Sequence, residues 1–169
     1  APAPVEAVQL ALPTNAMAPI VTSSAREALA SYDEYLATAD PAAYRSYVWY
    51  RTQTAQYAAT ELGYPQHDMA AAWAATTVEH QLAVLAAMTQ VGVPYRYNTS
   101  KEGVGFDCSG LTTFAWARAG VSLVRQSGQQ INNAEPLDRS TAKAGDLVQY
   151  TGHVMMYLGI GDAVIHSVM

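Results

Sequence analysis

Apolar positions in the first half of the chain recur every three or four residues, which is the spacing of amphipathic helices. From Ser24, the residues Ala25, Ala28, Leu29, Tyr32 and Leu36 form one such stripe, with Ser23 or Ser24 as N-cap and "TADP" as its end. A second helix follows, with Asp40 as N-cap and Pro41 at the first helical position, where a missing N–H costs little. Its stripe is Tyr44, Tyr47, Val48, Arg51, Ala55, Ala58, Ala59 and Leu62, closed by Gly63 and Pro65. A third helix is predicted from about Asp68 to Gln90, carrying Trp73, Ala74, Val78, Leu82, Leu85 and Ala86 on one side and stopped by Gly92 and Pro94. The aromatic residues of the second helix read as core, because aromatics at helical spacing pack inward.

The texture changes after Gly92. Cys108 to Ala119 predicts a helix with Leu111, Phe114, Ala115 and Ala119 on one side and Gly120 as terminator. The runs "DLVQY", "HVMMYLG" and "AVIHSV" read as strands, the last two joined by "GIGD" as a hairpin turn. Helices followed by antiparallel strands predict an α+β fold. Residues 1–22 hold four prolines and little periodicity, and are read as an extended leader. The division expected is 1–22 leader, 23–78 helical region and 79–169 a mixed helix-and-strand domain.

Composition narrows the function classes. The chain has 169 residues, half of them apolar, with 14% charged residues and a net charge of −5. Nucleic acid is not an expected partner, because phosphate binding needs clustered Lys and Arg. A membrane span is not expected either, because no run of about 18 apolar residues occurs. The start "APAPVEAVQL" has no basic segment followed by an apolar one; it fits a secreted chain after cleavage, or a trimmed one.

The single cysteine, Cys108, lies in "GVGFDCSGL" and permits no internal disulfide. One reading is an inert buried thiol, since free Cys is commonly buried. The other is a nucleophile. At a helix start, outward N–H groups and the positive end of the helix dipole favour thiolate over thiol. Asp107 can cap that helix, and Gly110 keeps its first turn uncluttered. A thiolate nucleophile also needs a base, and the base an orienter. His153 opens one late strand and His166 lies in the next, so a hairpin can bring the two imidazoles together. His153 would pair with Cys108, and His166 would hold the far nitrogen of His153. The other two histidines, His67 and His80, read as surface or internally satisfied residues. This order of nucleophile, base and orienter explains Cys108, His153 and His166 better than a metal site does; no metal and no cofactor is expected.

"GFDCSGL" resembles the active-site signature of the NlpC family, papain-like cysteine peptidases that cut bacterial cell-wall peptides. The resemblance continues in order through "VGVPYRY", "LVRQSGQQ", "KAGDLVQY", "HVMMYLG" and "VIHS", covering roughly Val84 to Met169. It implies a papain-like domain in which Cys108 is the nucleophile, His153 the base and His166 the third polar residue. It further implies that Tyr95 stands beside the nucleophile, and that Asp107, Ser109 and Ser127 line the peptide groove. The sequence departs from the family pattern in several places. Tyr97-Asn98-Thr99 replaces Trp-Gly-Gly, Met155 stands where glycine is common, and the loops after Thr99 and between the two histidines are each one residue longer. Family members continue with further strand beyond the position of Met169, so additional C-terminal residues are expected.

By resemblance the expected activity is secreted, cell-wall peptidoglycan hydrolysis. The expected bond joins the D-glutamate side-chain carboxyl to diaminopimelate or lysine in the stem peptide. The partners expected are stem peptides or muropeptides, with the protein a monomer. An acyltransferase or amidase on the same scaffold, and a catalytically silent or self-inhibited wall-binding module, are the alternatives.

Overall fold

A computed structural model describes residues 14–169. Helix α1 spans Ala18–Thr38 and α2 spans Pro41–Leu62, and the two pack side by side as a hairpin. Asp40 caps α2 by accepting from the Ala42 N–H at 2.8 Å, with Pro41 in the first turn. Gly63, with φ of 75°, ends it in the left-handed conformation that glycine adopts without strain. Helix α1 begins at Ala18, inside the segment read as extended leader. The turn that leads into it is held from a distance: the Glu61 carboxylate in the last turn of α2 accepts from the N–H groups of Ala16 and Met17, just ahead of the helix. The rest of the predicted leader, residues 1–13, lies outside the described residues.

The single helix predicted from Asp68 to Gln90 is two. Helix α3 spans Gln66–Ala74 and α4 spans Val78–Met88. Thr77, in extended conformation, breaks the run and caps α4 by accepting from the His80 N–H. The apolar stripe runs through the break because Trp73 of α3 and the interior positions of α4 enter the same core. Helix α4 is buried at every position from Gln81 to Met88, as a helix enclosed on all sides must be. It packs against α1 and α2 on one side and the Cys-bearing helix on the other. One hydrophobic core therefore runs from Val21, Ala25 and Tyr47 through Leu85 to Leu111 and Met156.

A short hairpin, β1 (Ser100–Lys101) and β2 (Gly105–Phe106), leads into α5, Cys108–Arg118. Helix α6 is Ser127–Asn132. Strands β3 (Leu147–Tyr150), β4 (His153–Tyr157) and β5 (Val164–Ile165) form an antiparallel sheet in the order β3-β4-β5. The molecule is thus α+β. The register pairs Tyr150 with His153 and Tyr157 with Val164. Val154 and Met156 are buried at 0% and 1% exposure, and Met156 joins the core. By the two-residue period of a strand, His153, Met155 and Tyr157 take the opposite face. Strand β5 is shorter than predicted, so His166 follows it rather than lying within it. The turn between β4 and β5 closes through the Ala163 N–H on the Ile160 carbonyl.

Candidate active site

Cys108 is the first residue of α5 and is half-buried. Asp107 precedes it in extended conformation, and its Oδ1 accepts from the Gly110 N–H at 2.6 Å. The Leu111 N–H goes to the Asp107 carbonyl. The N–H groups of Cys108 and Ser109 have no partner within the helix, as at any helix start. Gly110 is required where it stands. A Cβ there would run into the Thr99 carbonyl and the Asp107 carboxylate, and the cap could not close.

The strand entering the helix is held from both sides. Tyr95 forms an isolated parallel bridge with Phe106, which puts it beside the chain two residues before the nucleophile. The Phe106 carbonyl accepts from the Arg96 N–H at 3.0 Å and from the Ser167 hydroxyl at 2.6 Å. Ser167 is buried and follows His166 directly. It therefore ties the end of the sheet to the segment that carries Cys108.

His153 opens β4, which packs against α5. Its Nε2 lies 2.8 Å from Nδ1 of His166, with the ring centroids 5.1 Å apart. Burial lowers the affinity of His153 for a proton, and burial together with the charge of a protonated His153 does the same to His166. Both rings are therefore neutral at neutral pH. Two neutral imidazoles share one N–H across such a bond. If His153 Nε2–H donates to His166 Nδ1, the Nδ1 lone pair of His153 is left to accept a proton from elsewhere. The predicted hairpin thus does bring the two histidines together.

Asp107 and Ser109 belong to a braced corner that also contains Arg125, a residue the sequence reading did not single out. Arg125 Nη2 donates to Asp107 Oδ2 at 2.8 Å, and its Nη1 donates to Ser109 Oγ at 2.8 Å. Ser109 is only 5% exposed. Burial alone would raise the Asp107 carboxyl. Hydrogen bonds from Arg125, the Gly110 N–H and Ser109, with the Arg125 charge, outweigh it and hold the carboxyl below its ordinary range. Gln130 is buried behind this corner. It accepts from the Thr112 hydroxyl and donates to the Ser109 and Val124 carbonyls, clamping α6 on α5. Ser127 opens α6 and is half-buried; its hydroxyl bonds no other described residue. The sequence signal for the corner was present in "LVRQSGQQ", but Arg125, Gln130 and Ser167 are recognisable only by their distant partners.

His80 is internally satisfied. Its Nδ1 lies 2.8 Å from Thr77 Oγ1, its Nε2 lies 3.0 Å from Asp146 Oδ1, and its ring meets Trp116 edge-on. His67 is exposed beside Asp68. Among the described residues, no three His, Cys, Asp or Glu side chains gather as a metal site would require.

The model of the NlpC/P60 family matches residues 92–168. Among curated proteins, a probable endopeptidase of Corynebacterium glutamicum (strain R) is 41% identical over 106 residues, covering 61% of this chain and 48% of that protein. The peptidoglycan endopeptidase RipB of Mycobacterium tuberculosis is 38% identical over 92 residues, covering 45% of this chain and 38% of that protein. A solved structure from Staphylococcus aureus subsp. aureus Mu50, described as similar to a lipoprotein of the NLP/P60 family, aligns with 55% of this chain and 34% of its own. Its TM-score is 0.50 at 28% identity. The chain spans less than half the length of each of these relatives. Cys108, His153 and His166 all fall within residues 92–168, the segment of this chain that the NlpC/P60 family model matches.

Proposed function

We propose that this chain carries a peptidoglycan hydrolase, a cysteine endopeptidase acting on the stem peptide in the bacterial cell wall after secretion. The bond cut joins the D-glutamyl side-chain carboxyl to diaminopimelate or lysine. Cys108 gives its thiol proton to Nδ1 of His153, and its sulfur attacks the scissile carbonyl carbon. The N–H groups of Cys108 and Ser109 receive the oxyanion, a contribution worth about 3–4 kcal/mol for one well-placed donor. Protonated His153 then gives its proton to the leaving amine, and the C–N bond breaks. His153 next takes a proton from water, the hydroxyl adds to the thioester carbon, and the peptide acid leaves as the thiol is restored. His166 holds the His153 ring and its tautomer throughout. Tyr95, Asp107, Ser109 and Ser127 shape the groove end nearest the nucleophile, Asp107 and Ser109 through the corner they form with Arg125.

The observation that carries this reading is the 2.8 Å bond between His153 Nε2 and His166 Nδ1, on a strand packed against the helix that Cys108 opens. The name of RipB, a peptidoglycan endopeptidase, supports the substrate class, and that of the Corynebacterium glutamicum relative, a probable endopeptidase, supports the reaction. In this reading residues 79–169 form the catalytic domain of a monomeric protein, and residues 23–78 are its helical support.

The test is mass spectrometry of purified muropeptides digested by the wild type and by Cys108→Ala. The expected products are a stem fragment ending in D-glutamate and a complementary fragment with a new amino terminus on the diamino acid, made by the wild type alone. Transfer products in place of hydrolysis products would mark an acyltransferase. Wall binding without any product from the wild type would mark a silent binding module.

A further inference from the structure

Asp107 is the immediate neighbour of the proposed nucleophile, and its charge has two opposed consequences. As N-cap it fixes the first turn of α5, through the bond to the Gly110 N–H. As an anion it opposes a second negative charge on the adjacent sulfur. That opposition is weakly screened, because the Asp107 side chain is only 14% exposed. Its carboxyl is held below the ordinary range, so protonation does not remove the charge at working pH.

The cation that answers Asp107 comes from outside the helix. Arg125 closes its planar fork on Asp107 Oδ2 and Ser109 Oγ, residues on either side of Cys108. Among the described residues no other cation bonds Asp107: Arg96 is exposed with its stem against Gly105, and Arg118, at the far end of α5, pairs with Asp33 of α1. Helix α4 carries Glu79, which is exposed, and His80, which is bonded to Thr77 and Asp146. Strand β1 carries Lys101, which is exposed. Strand β4 carries His153, a neutral ring bonded to His166, and at its other end Tyr157, whose phenol burial holds in the neutral form. Strand β2 and helix α6 carry no titratable side chain.

We propose that Arg125 is a positioning residue of the reaction: it cancels the Asp107 charge beside Cys108 and locks Asp107 and Ser109 on either side of the nucleophile. This rests on Cys108 being the nucleophile. Two roles are combined in one side chain. The charge sets how readily the sulfur ionises, and the fork sets where the first-turn N–H groups point.

The roles separate by substitution. The readouts are the pH dependence of iodoacetamide modification of Cys108 in the folded protein, followed by intact mass, and kcat and KM on muropeptides. Arg125→Met is expected to move the alkylation midpoint up by about one pH unit. It should lower kcat about tenfold or more while KM changes little. Arg125→Lys restores the midpoint but not the whole of kcat, because the charge returns without the fork. The double variant Asp107→Asn with Arg125→Met removes both charges and keeps a capping side chain, and its midpoint returns towards the wild type. Asp107→Asn alone leaves the guanidinium unbalanced and moves the midpoint down. A residue with a merely structural role would not give shifts of opposite sign that cancel in the double variant.

An unchanged midpoint in folded Arg125→Met, or a double variant no better than the single one, overturns the proposal. If Arg125→Met does not fold, Asp107→Asn decides: a midpoint that rises or stays overturns it. Alkylation is read without turnover, so the two readings fail separately. Cleavage by Cys108→Ala would instead overturn the nucleophile assignment.

Discussion

Two histidines of this protein sit in comparable settings and differ in one respect. At the junction of α4 and β3, His80 has both ring nitrogens engaged, Nδ1 by Thr77 and Nε2 by Asp146. At the head of β4, His153 is engaged at Nε2 by His166, and Nδ1 makes no bond to another described residue. The lesson is that neither residue type nor a partner at hydrogen-bond distance separates a structural histidine from a chemical one. In the proposed mechanism the state of the second nitrogen does. His80 joins two elements and has nothing left to offer a reaction, whereas His153 is oriented from one side and open on the other.

The sharpest way to break this contrast is to remove each ring. His153→Ala is expected to lower kcat/KM about 10³-fold or more, nearly as far as Cys108→Ala, because members of one catalytic unit are not additive. His80→Ala should leave kcat/KM little changed and lower Tm by about 2–4 °C, the effect of losing about 1 kcal/mol in a chain of this size. If His80→Ala were as inactive as His153→Ala while still folded, the contrast would be wrong.

A smaller effect is expected at His166, to which the proposed mechanism gives the holding of a ring and no proton transfer. His166→Ala should cost on the order of 10–100-fold in kcat/KM, as loss of an orienting partner commonly does. His166→Gln should retain more activity, because the amide still offers an acceptor. Wild-type kcat/KM in both variants would make His166 a residue of the sheet alone.

The pH dependence gives the smallest and most diffuse signal. Both rings are held below the ordinary imidazole range, so the unfolded chain binds more protons than the folded one as the medium turns acid. The stability these histidines contribute is therefore fully present above about pH 6.5, the ordinary imidazole value, and is lost as pH falls through their lower folded-state values. Thermal melts should show Tm declining below about pH 6.5, and His153→Ala with His166→Ala together should flatten that limb. A Tm that rises on acidification would mean the pair is stabilised by protonation, which contradicts a neutral base.

What was legible in the sequence follows the range of the interactions. The Cys108 helix was readable because its determinants are adjacent: Asp107 caps it, and Gly110 clears the space for the cap. The histidine pair is readable because the β4–β5 hairpin returns the chain beside the head of β4, although His166 lies just past β5 rather than within it. The start of α1 is not legible locally because the turn ahead of it, at Ala16 and Met17, is held by Glu61, more than forty residues away. The break at Thr77 was missed because α3 and α4 feed one core, so the apolar period runs across it. Arg125 was passed over because an arginine in a polar stretch looks like any solvated cation until its two partners are known. In the sequence the run of α4 reads as one apolar side of a helix, whereas cover on both sides leaves it no polar face.

The central claim is that His153 and His166 form a neutral pair which leaves Nδ1 of His153 open towards Cys108. Nitrogen-15 shifts of the histidine rings, recorded at neutral pH before and after Cys108 is alkylated, test it most directly. The account predicts a proton on His153 Nε2, none on His153 Nδ1, and a shift of His153 Nδ1 on alkylation that His80 does not show. A His153 protonated on Nδ1 alone, or an Nδ1 signal that alkylation leaves unmoved, would contradict it.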